Sequence, residues 1–247
     1  MCNDCRLKEK VVNIRIDTHV HTFASGHAYS TFAEYLDIAK KKGIEMFAVT
    51  DHGPEMPGAS HIYHLANQKE IPSEIDGIEI LKGVEANIMS IEGDIDIPVR
   101  ILKKLDLVIG SLHPPCIRPM SRDDNTLTLI NAIKSGNVDI IGHSGNNAYE
   151  IHQYEFVRAA KEYGVAVEIN SGSFIGNRKG SWDNCVSIAR IAKELGTYVT
   201  TGSDAHIHYR LGDFEKIYKI FDTVGFPIEL VITESKDKLK NFLKQRR

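Results

Sequence analysis

Residues 14–21 read IRIDTHVH, and the fold class turns on this stretch. Ile14–His19 is a brief apolar strand of the kind that is buried on both faces. Its end carries Asp17, His19 and His21. Side chains two apart on a strand point the same way, so His19 and His21 converge on one centre.

The same unit recurs along the chain. Further Val/Ile-rich candidate strands are Met46–Asp51, Ile78–Glu85, Leu107–Leu112, Asp139–Ile141, Val165–Ile169 and Tyr198–Gly202. Helical patterns lie between them, clearest at Thr31–Lys42, Asn125–Ser135, Gln153–Tyr163 and Asp183–Leu195. Gly43, Gly136, Gly164 and Gly196 follow these four closely, as C-terminal helix stops do. Two more helices are predicted at Phe214–Thr223 and Lys236–Lys244. Repeated β-then-α order predicts an α/β fold with a parallel sheet, and seven such units predict a closed (β/α) barrel. An open doubly wound sheet is the alternative. No Gly-x-Gly-x-x-Gly follows the first strand, which argues against a dinucleotide-binding version. Residues 14–247 read as a single barrel domain, and residues 1–13 as an N-terminal extension.

Composition narrows the class. The chain has 247 residues, 42% of them hydrophobic and 26% charged, as in an ordinary soluble globular protein. No stretch approaches the roughly 20 apolar residues of a membrane span. The start, MCNDCRLKEK, lacks the apolar core of a signal peptide, so a cytoplasmic protein is expected. Formal net charge is −3, so no overall basic field recruits nucleic acid, and extended nucleic acid is not an expected partner. Cys2 and Cys5 form a lone C-x-x-C ahead of the first strand and are read as a frayed end. No oligomerisation signal stands out, and a homo-oligomer stays open.

Histidine is the unusual count, with 11 in the chain. The strand ends explain it. After His19 and His21 comes His27 in the following loop. The second strand ends in Thr50-Asp51-His52 and the third in Glu85-Ala86-Asn87. The fourth gives Ser111-Leu112-His113, the fifth Gly142-His143-Ser144, and the seventh Ser203-Asp204-Ala205-His206. Taken alone, each reads as easily as a hydrogen-bonded strand-end residue. Together they collect on the face where barrel enzymes build active sites. Imidazole and carboxylate donors suit Zn²⁺, and also Mn²⁺ or Fe²⁺. Nine candidate ligands are too many for one ion or two, and with a bridging carboxylate they divide among three.

These residues, with Asn170-Ser171 and the run Asn177-Arg178-Lys179-Gly180-Ser181, resemble the PHP (polymerase and histidinol phosphatase) superfamily, and most closely its YcdX-like phosphatase branch. The resemblance runs from about residue 14 to about residue 215. It implies a distorted seven-stranded TIM-like barrel with three divalent metal ions per chain, zinc foremost. It further implies that His19, His21, Glu85 and Asp204 hold the first ion, and that Glu85 bridges to a second held by His113 and His143. His27, His52 and His206 would hold the third.

Three divalent ions facing only Glu85 and Asp204 leave a positive excess, which points to an anionic, small phosphorylated substrate. The expected reaction is in-line attack on phosphorus by a hydroxide bridging two metals. Arg178 is the expected further phosphate contact, with Lys179 behind it, because a guanidinium grips phosphate through two parallel hydrogen bonds. His208 is one candidate proton donor to the leaving group. His61, His64 and His152 are read as non-ligands. Other readings stay open: an amidohydrolase-type C–N or C–O hydrolase, a nuclease acting on a 3′ end, and an idle metal-binding domain.

Overall fold

The computed structural model describes residues 13–246. The C-x-x-C of Cys2 and Cys5 lies outside the described residues. The strands are β1 (Ile16–Val20), β2 (Met46–Val49), β3 (Glu74–Ile75), β4 (Ile78–Asn87), β5 (Leu107–Ser111), β6 (Ile140–Ile141), β7 (Ala166–Asn170) and β8 (Val199–Gly202). The helices are α1 (Phe32–Lys42), α2 (Ile62–Ala66), α3 (Val99–Leu102), α4 (Arg122–Lys134), α5 (Gln153–Glu162), α6 (Trp182–Leu195), α7 (Glu215–Val224) and α8 (Lys236–Gln245). Every strand and helix expected from the sequence is present, with ends moved by a few residues. The additions are the short α2 and α3, and β3, which pairs antiparallel with the start of β4.

Local chemistry sets the helix ends. Thr31 caps α1 in a reciprocal capping box with Glu34, and Ser121 caps α4 by accepting from Asp124 N–H. Gly43 and Gly196 end α1 and α6 in left-handed conformations that a Cβ would disfavour.

The parallel strands follow the order β1-β2-β4-β5-β6-β7-β8, each beside its predecessor, and the path returns on itself. A parallel bridge pairs Val20 with Ala205, Asp204 N–H donates to His19 O at 2.9 Å, and His21 N–H donates to Ala205 O at 2.9 Å. The fold is therefore a nearly closed seven-stranded barrel, and the open-sheet alternative falls. Two buried side chains sew this seam. Asp17 accepts from His19 N–H (3.2 Å), Ser203 N–H (2.9 Å) and Gly212 N–H (2.9 Å). The Tyr35 hydroxyl of α1 lies 2.9 Å from His21 O and 2.8 Å from Ala205 O.

Apolar side chains fill the lower barrel. Ile16, Met46, Leu81, Leu107, Ile140 and Ala166 form one cluster with Leu239, Phe242 and Leu243 of α8. The Lys-rich tail is thus a plug at the barrel's N-terminal mouth, and Lys236 and Lys240 both pair with Glu79 of β4. The outer face of the sheet packs against the surrounding helices in a second, larger cluster. With the bottom sealed, the polar mouth is left at the C-terminal strand ends. No helix among the described residues is long and apolar enough to cross a membrane.

Asp17→Ala would strand three N–H groups, two of them buried. It is expected to lower the unfolding free energy by about 2–4 kcal/mol, read by urea denaturation followed by circular dichroism. An unchanged midpoint would show that the seam does not depend on this carboxylate.

Candidate metal centre

Strand alternation carries inward positions upward from the apolar floor. In β4 the inward set is Leu81, Gly83, Glu85 and Asn87, and in β5 it runs from Leu107 and Ile109 through Ser111 to His113. Two strands break this alternation just before their ligands. In β1 the register slips by one residue between Asp17 and Val20, a bulge that brings His19 to the same interior as Ile16. After β6, His143 adopts φ +27°, which turns its ring inward although Ile140 and Gly142 hold the inward register. Asp204 stands at φ +54°. Non-glycine residues are uncommon in this region, and each costs of order 1–3 kcal/mol.

The structure brings all nine predicted ligands to one mouth, and Glu85 is their hub. Its Oε1 lies 2.8 Å from His143 Nε2, 3.2 Å from His113 Nε2 and 3.4 Å from His19 Nε2. Its Oε2 lies 2.8 Å from His52 Nδ1 and 3.4 Å from His21 Nε2. Asp204 Oδ1 is 3.3 Å from His21 Nε2, 3.4 Å from His206 Nδ1 and 3.7 Å from His19 Nε2. His27 reaches the group through His206, with their Nε2 atoms 3.1 Å apart.

The donor set fits divalent cations. Three overlapping groups (His19, His21 and Glu85; His52, Glu85 and His113; His21, His52 and His206) each hold their ligand atoms within 4.8 Å of one another. Two imidazole nitrogens bound to one tetrahedral ion at about 2.0–2.1 Å stand roughly 3.3 Å apart. The Nε2 atoms of His19 and His21 are 3.0 Å apart, near that spacing. His52 Nδ1 is buried and makes no hydrogen bond despite its closeness to Glu85, as a ligand atom awaiting a cation would.

A supporting layer selects the tautomers. His19 Nδ1 faces Glu168 Oε1 at 2.7 Å, and His113 Nδ1 faces Asn87 Oδ1 at 2.7 Å. His21 Nδ1 faces Ser25 Oγ at 3.0 Å, and that hydroxyl donates to Asp51 Oδ1 at 2.7 Å. With Nδ1 donating, a neutral ring leaves its Nε2 lone pair for a cation. Glu168 is the functional residue that the sequence reading missed. Its Oε2 also accepts from His143 N–H (2.8 Å) and from Asn170 Nδ2 (2.9 Å). Space for it comes from glycine on the neighbouring strand: a Cβ on Gly202 would stand 2.1 Å from Glu168 Oε1. The available signal was a carboxylate within the apolar strand AVEIN, and its strand was the one that offered no ligand.

Charge states suit the same purpose. Burial pushes His21, His113, His143 and His27 below the usual imidazole range, so these rings stay neutral. Burial acts in the same sense on His19, but Glu168, Glu85 and Asp204 outweigh it and hold this ring well above that range. Burial would raise Glu85 and Asp204. For Glu85 the imidazoles of His113, His19 and His52 prevail, and for Asp204 the Arg178 guanidinium and His19 do, so both stay ionised.

Arg178 is bonded directly to Asp204 through Nη2. Gly172 leaves room for that contact, since a Cβ there would lie 2.6 Å from Asp204 Oδ2. Lys179 is exposed. Of the other histidines, His208 is held by Ser30 Oγ at 2.8 Å and His152 by Asp123 at 2.6 Å. His61 caps α2, and His64 contacts Asp51 at 3.1 Å.

Fold and donors together define a (β/α)-barrel protein whose mouth is built to take cations. The chain belongs to the PHP domain family, whose model matches residues 17–230. It is 51% identical to a probable phosphatase of Caldanaerobacter subterraneus subsp. tengcongensis, covering 98% of this chain and 94% of the relative. A probable phosphatase of Shewanella frigidimarina is 47% identical over 94% of this chain and 93% of its own length. Among solved structures, histidinol phosphate phosphatase from Lactococcus lactis, complexed with zinc, L-histidinol and phosphate, superposes with a TM-score of 0.59. That match covers 87% of this chain and 95% of the other, and at 18% identity it carries the fold.

Glu168→Gln would place an amide where His19, His143 and Asn170 all donate. Metal retention, measured by competition with a chelator, is expected to weaken by about 10- to 100-fold. Unaltered retention would remove Glu168 from the support of the centre.

Proposed function

We propose that this chain is a metal-dependent phosphatase that hydrolyses small phosphomonoesters at a trinuclear centre. The observation that carries the reading is the Glu85 carboxylate with five imidazole nitrogens within 3.4 Å of its two oxygens. A carboxylate so placed would be shared between neighbouring ions, with imidazole ligands on both of its sides. His19, His21, Glu85 and Asp204 would hold one ion, Glu85, His113 and His143 a second, and His27, His52 and His206 a third. Zinc, with manganese or iron as substitutes, suits these donors. Bound ions of this kind supply Lewis acidity towards a phosphoryl oxygen and lower the pKa of water towards about 7.

The protein's own groups bind and orient. Neutral imidazoles and two carboxylates leave the loaded mouth cationic, which favours a phosphate dianion over a neutral amide or lactone. Arg178 stands at its edge. Asp204 and Glu85 offset the burial that would discourage its charge, so the guanidinium stays protonated. With Nη2 on Asp204, its remaining donors can grip non-bridging phosphate oxygens. His208 is held by Ser30, and among the described residues it contacts none of the nine ligands, so it gains no support as the leaving group's proton donor. Among the described residues no lysine pairs with Glu85 or Asp204, so a lysine-bridged C–N hydrolase site finds no support. The relatives' names support the reaction class, and the zinc, histidinol and phosphate held by the Lactococcus structure support a small phosphorylated substrate.

Hydrolysis of p-nitrophenyl phosphate by the zinc-loaded protein tests the reading. Glu85→Ala is expected to lower kcat by well over the roughly hundredfold that loss of a supporting partner gives. Arg178→Ala is expected to raise KM about tenfold, as loss of a charge-assisted hydrogen bond does. Phosphatase activity indifferent to Glu85 would refute the trinuclear mechanism.

A further inference from the structure

Where the loop that follows β6 meets the first turns of α4, α5 and α6 lies a polar cleft of about 340 Å³. Arg122, Ser144, Asn147, Glu150, Gln153 and Asn184 supply its hydrogen-bonding groups. Two chain links tie it to the centre. Ser144 directly follows His143, and Asn147 Nδ2 donates to the carbonyl of Lys179 at 3.3 Å, next to Arg178. Arg122 and Gln153 are the first residues of α4 and α5, and Asn184 lies in the first turn of α6, so the cleft sits on the same rim as the ligands.

Its amides are set in advance. Gln153 Nε2 donates to Asn184 Oδ1 at 3.2 Å, and Asn184 Nδ2 donates to Gly145 O at 3.2 Å. Its charged groups are held back. Arg122 uses only Nε, on Ile151 O at 3.2 Å, and among the described residues neither its terminal nitrogens nor the Glu150 carboxylate has a partner. A guanidinium, a carboxylate and amide oxygens thus face one space, uncommitted.

We propose that this cleft is the leaving-group subsite and that it selects phosphomonoesters of polyhydroxylated alcohols such as sugars. The inference rests on the phosphatase reading above and adds its substrate class. A sugar hydroxyl is donor and acceptor at once, so a row of them is matched by interleaved donors (Arg122) and acceptors (Glu150, Gln153 Oε1, Asn147 Oδ1). An apolar or aryl alcohol would leave these groups desolvated and unpaired. In the reaction, water adds to phosphorus, the ester P–O bond breaks, and the alcohol departs with one of the water's protons, leaving inorganic phosphate. The cleft holds the alcohol on both sides of that step.

The test compares kcat/KM for D-glucose 6-phosphate and for p-nitrophenyl phosphate in the zinc-loaded wild type, Arg122→Ala and Glu150→Ala. Both side chains are exposed, and a thermal melt verifies that each variant folds. The wild type is expected to prefer the sugar phosphate, and each variant is expected to lower the ratio of the two constants about tenfold. Hydrolysis of both esters with a ratio that neither variant moves would overturn the subsite and leave the phosphatase reading standing. So would a wild-type preference for the aryl ester, which would direct the leaving group to the exposed rings of Phe23 and Tyr29 on the β1 loop. Hydrolysis of neither ester would overturn both readings.

Discussion

One buried carboxylate must face five imidazoles, and much of the structure follows from that requirement. Glu85 is 1% exposed, where an unpaired charge would be driven towards protonation. It stays ionised because His113, His19 and His52 crowd it. Several rings around it must in turn stay neutral while presenting a lone pair, so each needs a partner for its other nitrogen. Asn87 and Ser25 are those partners for His113 and His21, and Glu168 holds the ring of His19. Glu168 needs space in a packed barrel, which is why Gly202 stands beside it. The requirement is passed outward from carboxylate to imidazole to support to glycine.

The same demand explains two of the three positive-φ positions outside glycine among the described residues, Asp76 in the turn before β4 being the third. His143 and Asp204 are ligand candidates with positive φ, and β1 carries its bulge between Asp17 and Val20. Ideal strands would send some of these side chains to the outer face. The barrel accommodates the strain because its lower half is tightly built, with α8 sealing the floor and Asp17 and Tyr35 holding the seam. A stable base supports a mouth arranged for binding rather than for its own stability.

Much of this was legible in the sequence, for identifiable reasons. Parallel strands buried on both faces leave apolar runs, and helix stops leave glycines, so the elements and their alternation could be read from Ile14 to Lys244. Strand-end histidines and acids were legible because a barrel gathers strand ends, whatever its exact register. What escaped depends on neighbours. The β1 bulge is set by pairing with β2, and the turn at His143 by packing around β6, so a period-two reading misplaces both relative to the floor. Glu168 looked like an interruption in an apolar strand because its role exists only once β7 stands beside β8 and faces His19 across the barrel. The plugging role of α8 likewise depends on the closed barrel, since its own pattern shows only an amphipathic helix.

The central claim is that Glu85 and the eight side chains gathered around it form one centre for three ions. Metal content per chain, determined by plasma emission spectroscopy after zinc loading and removal of free metal, tests it most directly. The account predicts about three zinc ions per chain in the wild type. A plateau at one ion or none would contradict it, since the bridging role of Glu85 requires at least two ions and the His27, His52 and His206 group requires the third.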